Sequence, residues 1–165
     1  MKENEKKMKE IEIYTDGACR GNPDGPGGYG VVMRYLDQDG ITHIKELSEG
    51  YLNTTNNRME LMGVLKALQV LKNPCVIKLH TDSQYIVKAF NEGWLENWIK
   101  HNWKRGKSKE PVKNQDLWEK IVEAKANHRI QFIWVRGHNG HPDNERCDEL
   151  ATIVADNGPY TVDVK

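Results

Sequence analysis

The sequence predicts an α/β protein built on a five-stranded mixed sheet flanked by helices, and three observations carry that prediction. Three strand-like runs come first, at 11–17, 29–35 and 41–47, spaced closely enough to form an antiparallel meander. Two further runs, at 76–81 and 130–135, each follow a helical stretch, and strand–helix–strand order places a strand parallel to its partner. Two of the five strands close on an acid, Asp16 and Asp82. Ligands and chemistry in α/β proteins usually sit at that edge of the sheet.

At 165 residues the chain is long enough for one domain with a substantial core, expected from about residue 10 to 165. Residues 1–9 are mostly Lys and Glu with no apolar run, which reads as a flexible tail and not a signal peptide. No stretch approaches the roughly 18 apolar residues of a membrane span. Cys19, Cys75 and Cys147 form no C-x-x-C pair and leave one over, so no disulfide framework is expected. A cytoplasmic, monomeric enzyme fits this composition. Net charge is zero, yet six cations face Glu110 alone between Lys100 and Lys113, a local +5 on a mildly acidic body. Such a patch suits a protein that holds a polyanion in one place and cations in another.

The first strand alternates, with Ile11, Ile13 and Thr15 on one face and Glu12, Tyr14 and Asp16 on the other. The run 20–28, rich in Gly and Pro, is expected to be a loop; it does not match the phosphate-binding loop pattern. Asp39-Gly40 is a turn signal between the second and third strands. A long helix is expected over 57–72. On its wheel Glu60 falls between Ala67 and Leu71, on the packed side, where a carboxyl demands a partner. A capping box from Asn57 to Glu60 is one answer and a metal ion another. A short helix over 84–91 is capped by Asp82 or Ser83, and another over 94–103 turns Trp94, Leu95, Trp98 and Ile99 inward. A further helix starts near Asn114. In the last, over 144–156, Cys147, Leu150, Ala151 and Val154 form the buried stripe with Asp148 at its margin.

Asp16, Glu60, Asp82 and Asp148 therefore lie at two strand ends and on the inner or marginal faces of two helices. Clustered carboxylates repel and raise one another's pKa unless cations bind between them. An all-oxygen set suits Mg²⁺, and Mn²⁺ tolerates it. Two such ions can activate water and stabilise the leaving oxygen of a phosphodiester. Zinc on His138, His141 and Cys147 is the competing reading, with three evident ligands.

The segments Tyr14-Thr15-Asp16-Gly17, Thr54-Thr55-Asn56-Asn57-Arg58-Met59-Glu60-Leu61, Thr81-Asp82-Ser83-Gln84-Tyr85 and Gly137-His138 through Asp148 closely resemble type 1 ribonuclease H in its bacterial single-domain form, from about residue 10 to the C-terminus. The resemblance implies the ribonuclease H-like fold and endonucleolytic cleavage of the RNA strand of RNA–DNA hybrids, leaving 5′-phosphate and 3′-hydroxyl ends. It implies two Mg²⁺ ions on Asp16, Glu60, Asp82 and Asp148, with His138 as a mobile catalytic histidine. Asn22, Asn56, Asn57 and Gln84 match contacts to the hybrid's minor groove. Thr54 and Trp103 match a DNA-phosphate pocket, and Lys100 and Lys104 belong to the basic protrusion. Small amide side chains suit reading of the 2′-hydroxyl, and metals and lysines see only phosphate, so little sequence specificity is expected. The chain departs from the family pattern in a glycine-rich loop longer by one residue and a protrusion shortened after Gly106. A transposase- or resolvase-like nuclease would share the acids without the Asn56-Asn57 pair and the basic protrusion.

Overall fold

The structure, a computed structural model, describes residues 8–105, 110–137 and 140–165. The alternating first run becomes β1 (Lys9–Cys19), followed by β2 (Gly25–Leu36) and β3 (Thr42–Thr54). Helix α1 (Asn56–Gln69), β4 (Cys75–Thr81), α2 (Gln84–Asn91) and α3 (Trp94–Lys100) come next. A two-stranded hairpin of β5 (Lys104–Arg105) and β6 (Glu110–Pro111) precedes α4 (Gln115–Lys125). The chain closes with β7 (Arg129–Trp134), α5 (Pro142–Asn157) and β8 (Tyr160–Val162). The main sheet runs in the order β7-β4-β1-β2-β3-β8. The meander β1-β2-β3 is antiparallel, and β4 joins β1, and β7 joins β4, in parallel, as the element order requires. The five expected strands are all present. A short sixth, β8, pairs in parallel with the end of β3; its Tyr-Thr-Val is too brief to stand out in the sequence.

The two faces of β1 bury different things. Ile11 and Ile13 enter the main core with Met59, Leu61, Val64, Leu65 and Leu68 of α1 and with Leu117, Trp118 and Ile121 of α4. Tyr14 faces the other way, into a smaller cluster with Val32 and Cys147 of α5. Helix α5 lies across β1, β2 and β3. This crossing explains why the glycine-rich run is not all loop. Its last four residues are strand, paired as Cys19↔Gly27 and Ala18↔Gly28, and Gly28 lies under α5, where a Cβ would fall 2.3 Å from Val154 Cγ2. A Cβ on Gly30 would lie 2.2 Å from the Cys147 carbonyl oxygen and 2.8 Å from the Leu150 Cβ. Only a residue without a side chain lets the helix come that close.

The helix over 94–103 is shorter than its apolar pattern suggests. Asn102 and Trp103 take left-handed backbone angles, φ 55° and 62°, and the chain folds back so that the Trp103 N–H donates to the Trp98 carbonyl. Only Leu95 of its apolar set is fully buried; Trp98 packs edge-on against Trp118, and Trp94 and Ile99 stay exposed. Among the described residues no helix is long and apolar enough to cross a membrane, and the three cysteines are unpaired.

The Gly30 contact yields a test. Gly30→Ala is expected to destabilise the protein by roughly 1–3 kcal/mol, the usual cost of forcing an extra methyl into a packed site. Urea unfolding measures it, and a loss under about 0.5 kcal/mol would show that α5 does not depend on this contact.

Candidate active site

Strand pairing brings the first two acids together. The parallel register Thr15↔Thr81 sets Asp16 beside Asp82 at the carboxyl edge of the sheet. Glu60 is delivered by a helix–strand contact. A Cβ on Gly17 would lie 2.5 Å from the Glu60 nitrogen and 2.6 Å from the Met59 carbonyl carbon, so β1, which runs on past Asp16 to Cys19 instead of turning there, touches the backbone of α1 directly. The N-cap of α1 is Thr55, whose hydroxyl accepts from the Arg58 N–H, and this places Glu60 beyond the first turn. A capping box from Asn57 to Glu60, one of the two readings of this carboxyl, does not form, because the helix begins earlier, at Asn56. Ser83, not Asp82, caps α2, accepting from the Ile86 N–H. That leaves the Asp82 carboxyl out of the helix cap.

Asp16, Glu60 and Asp82 each present a ligand atom, all within 4.8 Å of one another. With Asp148 they line a cleft of about 590 Å³. Asp148 is carried there by α5, whose Cys147 thiol donates to the Tyr14 carbonyl at 3.1 Å. Asp16 accepts from the Gly17 N–H at 2.8 Å and is only 5% exposed. Burial, then the charge of Asp82, raises its pKa to about 7. Burial, followed by the charges of Asp16 and Asp82, pushes Glu60 well above the usual carboxylate range. Glu60 Oε2 is buried with no hydrogen-bond partner among the described residues. A buried carboxyl oxygen left without a donor, beside two more carboxyl groups, fits a hard divalent cation with oxygen ligands. Zinc on Cys147 does not fit. The thiol is fully buried, and burial raises its pKa far above the range in which a thiolate forms.

The other expected residues fall into two groups. Asn56 and Asn57 open α1, Gln84 opens α2, and all three line the acidic cleft. Exposed Asn22 joins them, its Oδ1 accepting from the Asn56 N–H at 3.3 Å. Lys100 and Lys104 stand exposed on α3 and β5, and Trp103 is half-buried between them. A second hollow, lined by Tyr85, Trp94, Trp98, Arg105, Val112 and Lys113, shares Tyr85 with the acidic cleft and so links the acids to the basic protrusion. Thr54 is fully buried, and its hydroxyl donates to Asp163 at 2.8 Å. His138 and Lys107 lie outside the described residues. Gly137, where the loop leaves β7, sits against the Asp82 carboxyl.

Two contacts had no signal in the sequence pattern. The Trp134 indole N–H donates to the Asp82 carbonyl at 3.2 Å, pinning the end of β4. An aromatic residue closing a strand that runs beside an acid-terminated strand is the feature that could have pointed to it. Asp163, fifteen residues beyond Asp148, gave no local cue at all.

The raised Asp16 pKa makes stability depend on pH in a definite direction. A carboxyl whose folded pKa exceeds its unfolded value of 3.8 contributes fully below about pH 4, and the contribution is lost as pH rises through about 7. In EDTA, the Tm of the protein should therefore fall across that window. Asp16→Asn should flatten the fall and raise Tm at pH 8 by roughly 5 °C. Superimposable pH–Tm curves for the two proteins would remove Asp16 as the source of strain.

Comparison with known proteins bears on this arrangement. The family model described as RNase H matches residues 8–156. The ribonuclease H of Lachnoclostridium phytofermentans is 61% identical over 149 residues, covering 90% of this chain and 94% of its own. That of Psychromonas ingrahamii is 52% identical, covering 95% and 97%. Among solved structures, the crystal structure of LC9-RNase H1, a type 1 RNase H with the type 2 active-site motif, superposes with a TM-score of 0.82 at 32% identity, over 90% of this chain and 73% of that one. With its fold, its acidic cleft and its sequence in agreement, the chain belongs to the ribonuclease H family, in the type 1 bacterial form.

Proposed function

We propose that this chain hydrolyses the RNA strand of RNA–DNA hybrids at the acidic cleft, with two Mg²⁺ ions held by Asp16, Glu60, Asp82 and Asp148, and that it works as a cytoplasmic monomer. The observation that carries the reading is the convergence of three carboxyl groups within 4.8 Å, one with an unpartnered oxygen, in a cleft also lined by Asn56, Asn57 and Gln84. When bound, divalent ions supply positive charge that favours a hydroxide-like water and offsets charge on the leaving oxygen. Asp16 and Glu60, protonated more readily than ordinary carboxyls, give up protons as they become ligands.

The remaining steps belong to the substrate contacts. Asn22, Asn56, Asn57 and Gln84 carry amides that both donate and accept, the complement of a 2′-hydroxyl that does the same. They fix which strand lies over the acids. Lys100 and Lys104 hold phosphates of the partner DNA strand with Trp103 between them, without regard to base sequence. Water attacks phosphorus and loses a proton to solvent, the bond to the 3′ oxygen breaks, and protonated His138 gives that oxygen a proton. The products carry 5′-phosphate and 3′-hydroxyl ends. An imidazole suits this because it exchanges protons near neutral pH.

The deciding assay offers labelled RNA–DNA, RNA–RNA and DNA–DNA duplexes, each with Mg²⁺ and with EDTA. Cleavage confined to the RNA of the hybrid, and only with Mg²⁺, is the expected result. Asp82→Asn should abolish it while hybrid binding in Ca²⁺ persists. Cleavage of duplex DNA, or near-normal activity of Asp82→Asn, would overturn the reading. The basic protrusion is tested separately. The double variant Lys100→Ala, Lys104→Ala should lower the slope of log Kd against log salt by about 1 to 2, since each lost phosphate contact releases about one counterion fewer. An unchanged slope would reduce these lysines to a solvated surface.

A further inference from the structure

An arginine in the first turn of a helix faces the positive end of the helix dipole, which disfavours it. Arg58 nevertheless sits in the first turn of α1 and is 3% exposed. A buried guanidinium persists only where carboxylates pair it. Two do. Asp163 accepts from its Nε at 2.6 Å and its Nη2 at 3.0 Å. Asp116 accepts from Nη1 at 2.9 Å and Nη2 at 2.7 Å, and the Asn114 Oδ1 accepts from Nη1 at 3.3 Å. The Asp163 side chain is fully buried, and its Oδ2 also takes the Thr54 hydroxyl at 2.8 Å.

One guanidinium thus ties together three parts of the chain, of which the strip 54–57 lines the cleft through Asn56 and Asn57. The C-terminal segment enters through Asp163, whose N–H donates to the Leu52 carbonyl and which follows β8 directly. The start of α4 enters through Asn114 and Asp116. Asn114 lies 3.5 Å from the Tyr85 hydroxyl, which the Trp118 indole also holds at 2.9 Å, and Tyr85 lines the cleft. The strip 54–57 enters through Thr54 and Arg58 themselves. The Thr54 carbonyl accepts from the Asp24 N–H at 2.8 Å, and Asn22 reaches Asn56, so the glycine-rich loop is anchored to the same strip.

We propose that Asp163, held by Arg58, is a positioning residue for the hybrid: it fixes Thr54, and through it the turn carrying Asn56 and Asn57, in the conformation that meets the minor groove. The proposal rests on the ribonuclease H reading of the cleft. Asp163 is buried and touches no substrate; it acts by removing, before binding, freedom that the Asn56–Asn57 turn would otherwise lose on binding. Its effect belongs in hybrid affinity and not in the chemical step.

Asp163→Asn keeps the volume but removes the charge and one acceptor. Hybrid Kd in Ca²⁺, and KM and kcat in Mg²⁺, are measured well below the melting temperature of either protein. Kd and KM are expected to rise roughly 10-fold, with kcat within about twofold of the parent, as loss of uniform binding dictates. A lower Tm with Kd and KM unmoved confines Asp163 to stability and overturns the proposal; so does a fall in kcat alone. Thr54→Val, which leaves the ion pair intact, serves if Asp163→Asn does not fold. It should raise Kd and lower the ¹⁵N order parameters of Asn56 and Asn57, and unchanged order parameters would overturn the positioning role. A parent protein that fails to cleave hybrid would instead overturn the reading of the cleft. A parent that cleaves beside an unaffected Asp163→Asn would overturn only this inference.

Discussion

Holding the Asp16, Glu60 and Asp82 carboxyls within 4.8 Å works against both Coulomb repulsion and desolvation, and the fold is arranged to withstand it. Asp16 and Asp82 cannot move apart because each follows directly on the parallel pairing of β1 with β4, whose register is fixed over seven residue pairs. Glu60 cannot swing away cheaply, because its backbone rests on Gly17 and the rest of α1 is sunk in the core beside Leu61, Val64, Leu65 and Leu68. Asp16 and Glu60 relieve the strain by holding protons more tightly than usual. A divalent cation relieves it better, which makes the same strain a source of metal affinity.

Around this centre the charges are sorted by place. The chain is neutral overall, yet cations gather between Lys100 and Lys113 and acids gather at the cleft. The two regions communicate through Tyr85, which borders both hollows and is held by the Trp118 indole. The two regions carry local fields of opposite sign, with no strong field over the rest of the surface.

Much of this was legible in the sequence, for local reasons. Asp16 and Asp82 announced themselves as acids closing β-periodic runs, and Glu60 as a charge on the packed side of a helical wheel. Asn56, Asn57 and Gln84 were singled out only through the resemblance of whole segments, since nothing marks an isolated amide; the fold sets all three on the acidic cleft. What failed did so because the cause lay elsewhere in the chain. Residues 25–28 look like loop because glycine and proline disfavour strands, but the stretch pairs with β1 and β3, and Gly28 leaves room for α5. The helix at Trp94 stops early because Asn102 and Trp103 turn left-handed, which neither residue type demands. Thr54 and Arg58 read as parts of a motif; that both reach Asp163, more than a hundred positions away, is a property of the folded chain alone.

The sheet is covered unevenly, and this has a kinetic consequence. Helix α5 lies over β1, β2 and β3, whereas β7 is an edge strand paired only to β4, with Arg129, Gln131 and Trp134 exposed. Local opening follows the least buried backbone first. Amide protons of β7 should exchange with solvent by partial unfolding that leaves β1 and α1 closed. The scaffold therefore divides into a slow half that carries Asp16 and Glu60 and a fast-exchanging margin that borders Asp82. The acidic cleft sits on the seam between them.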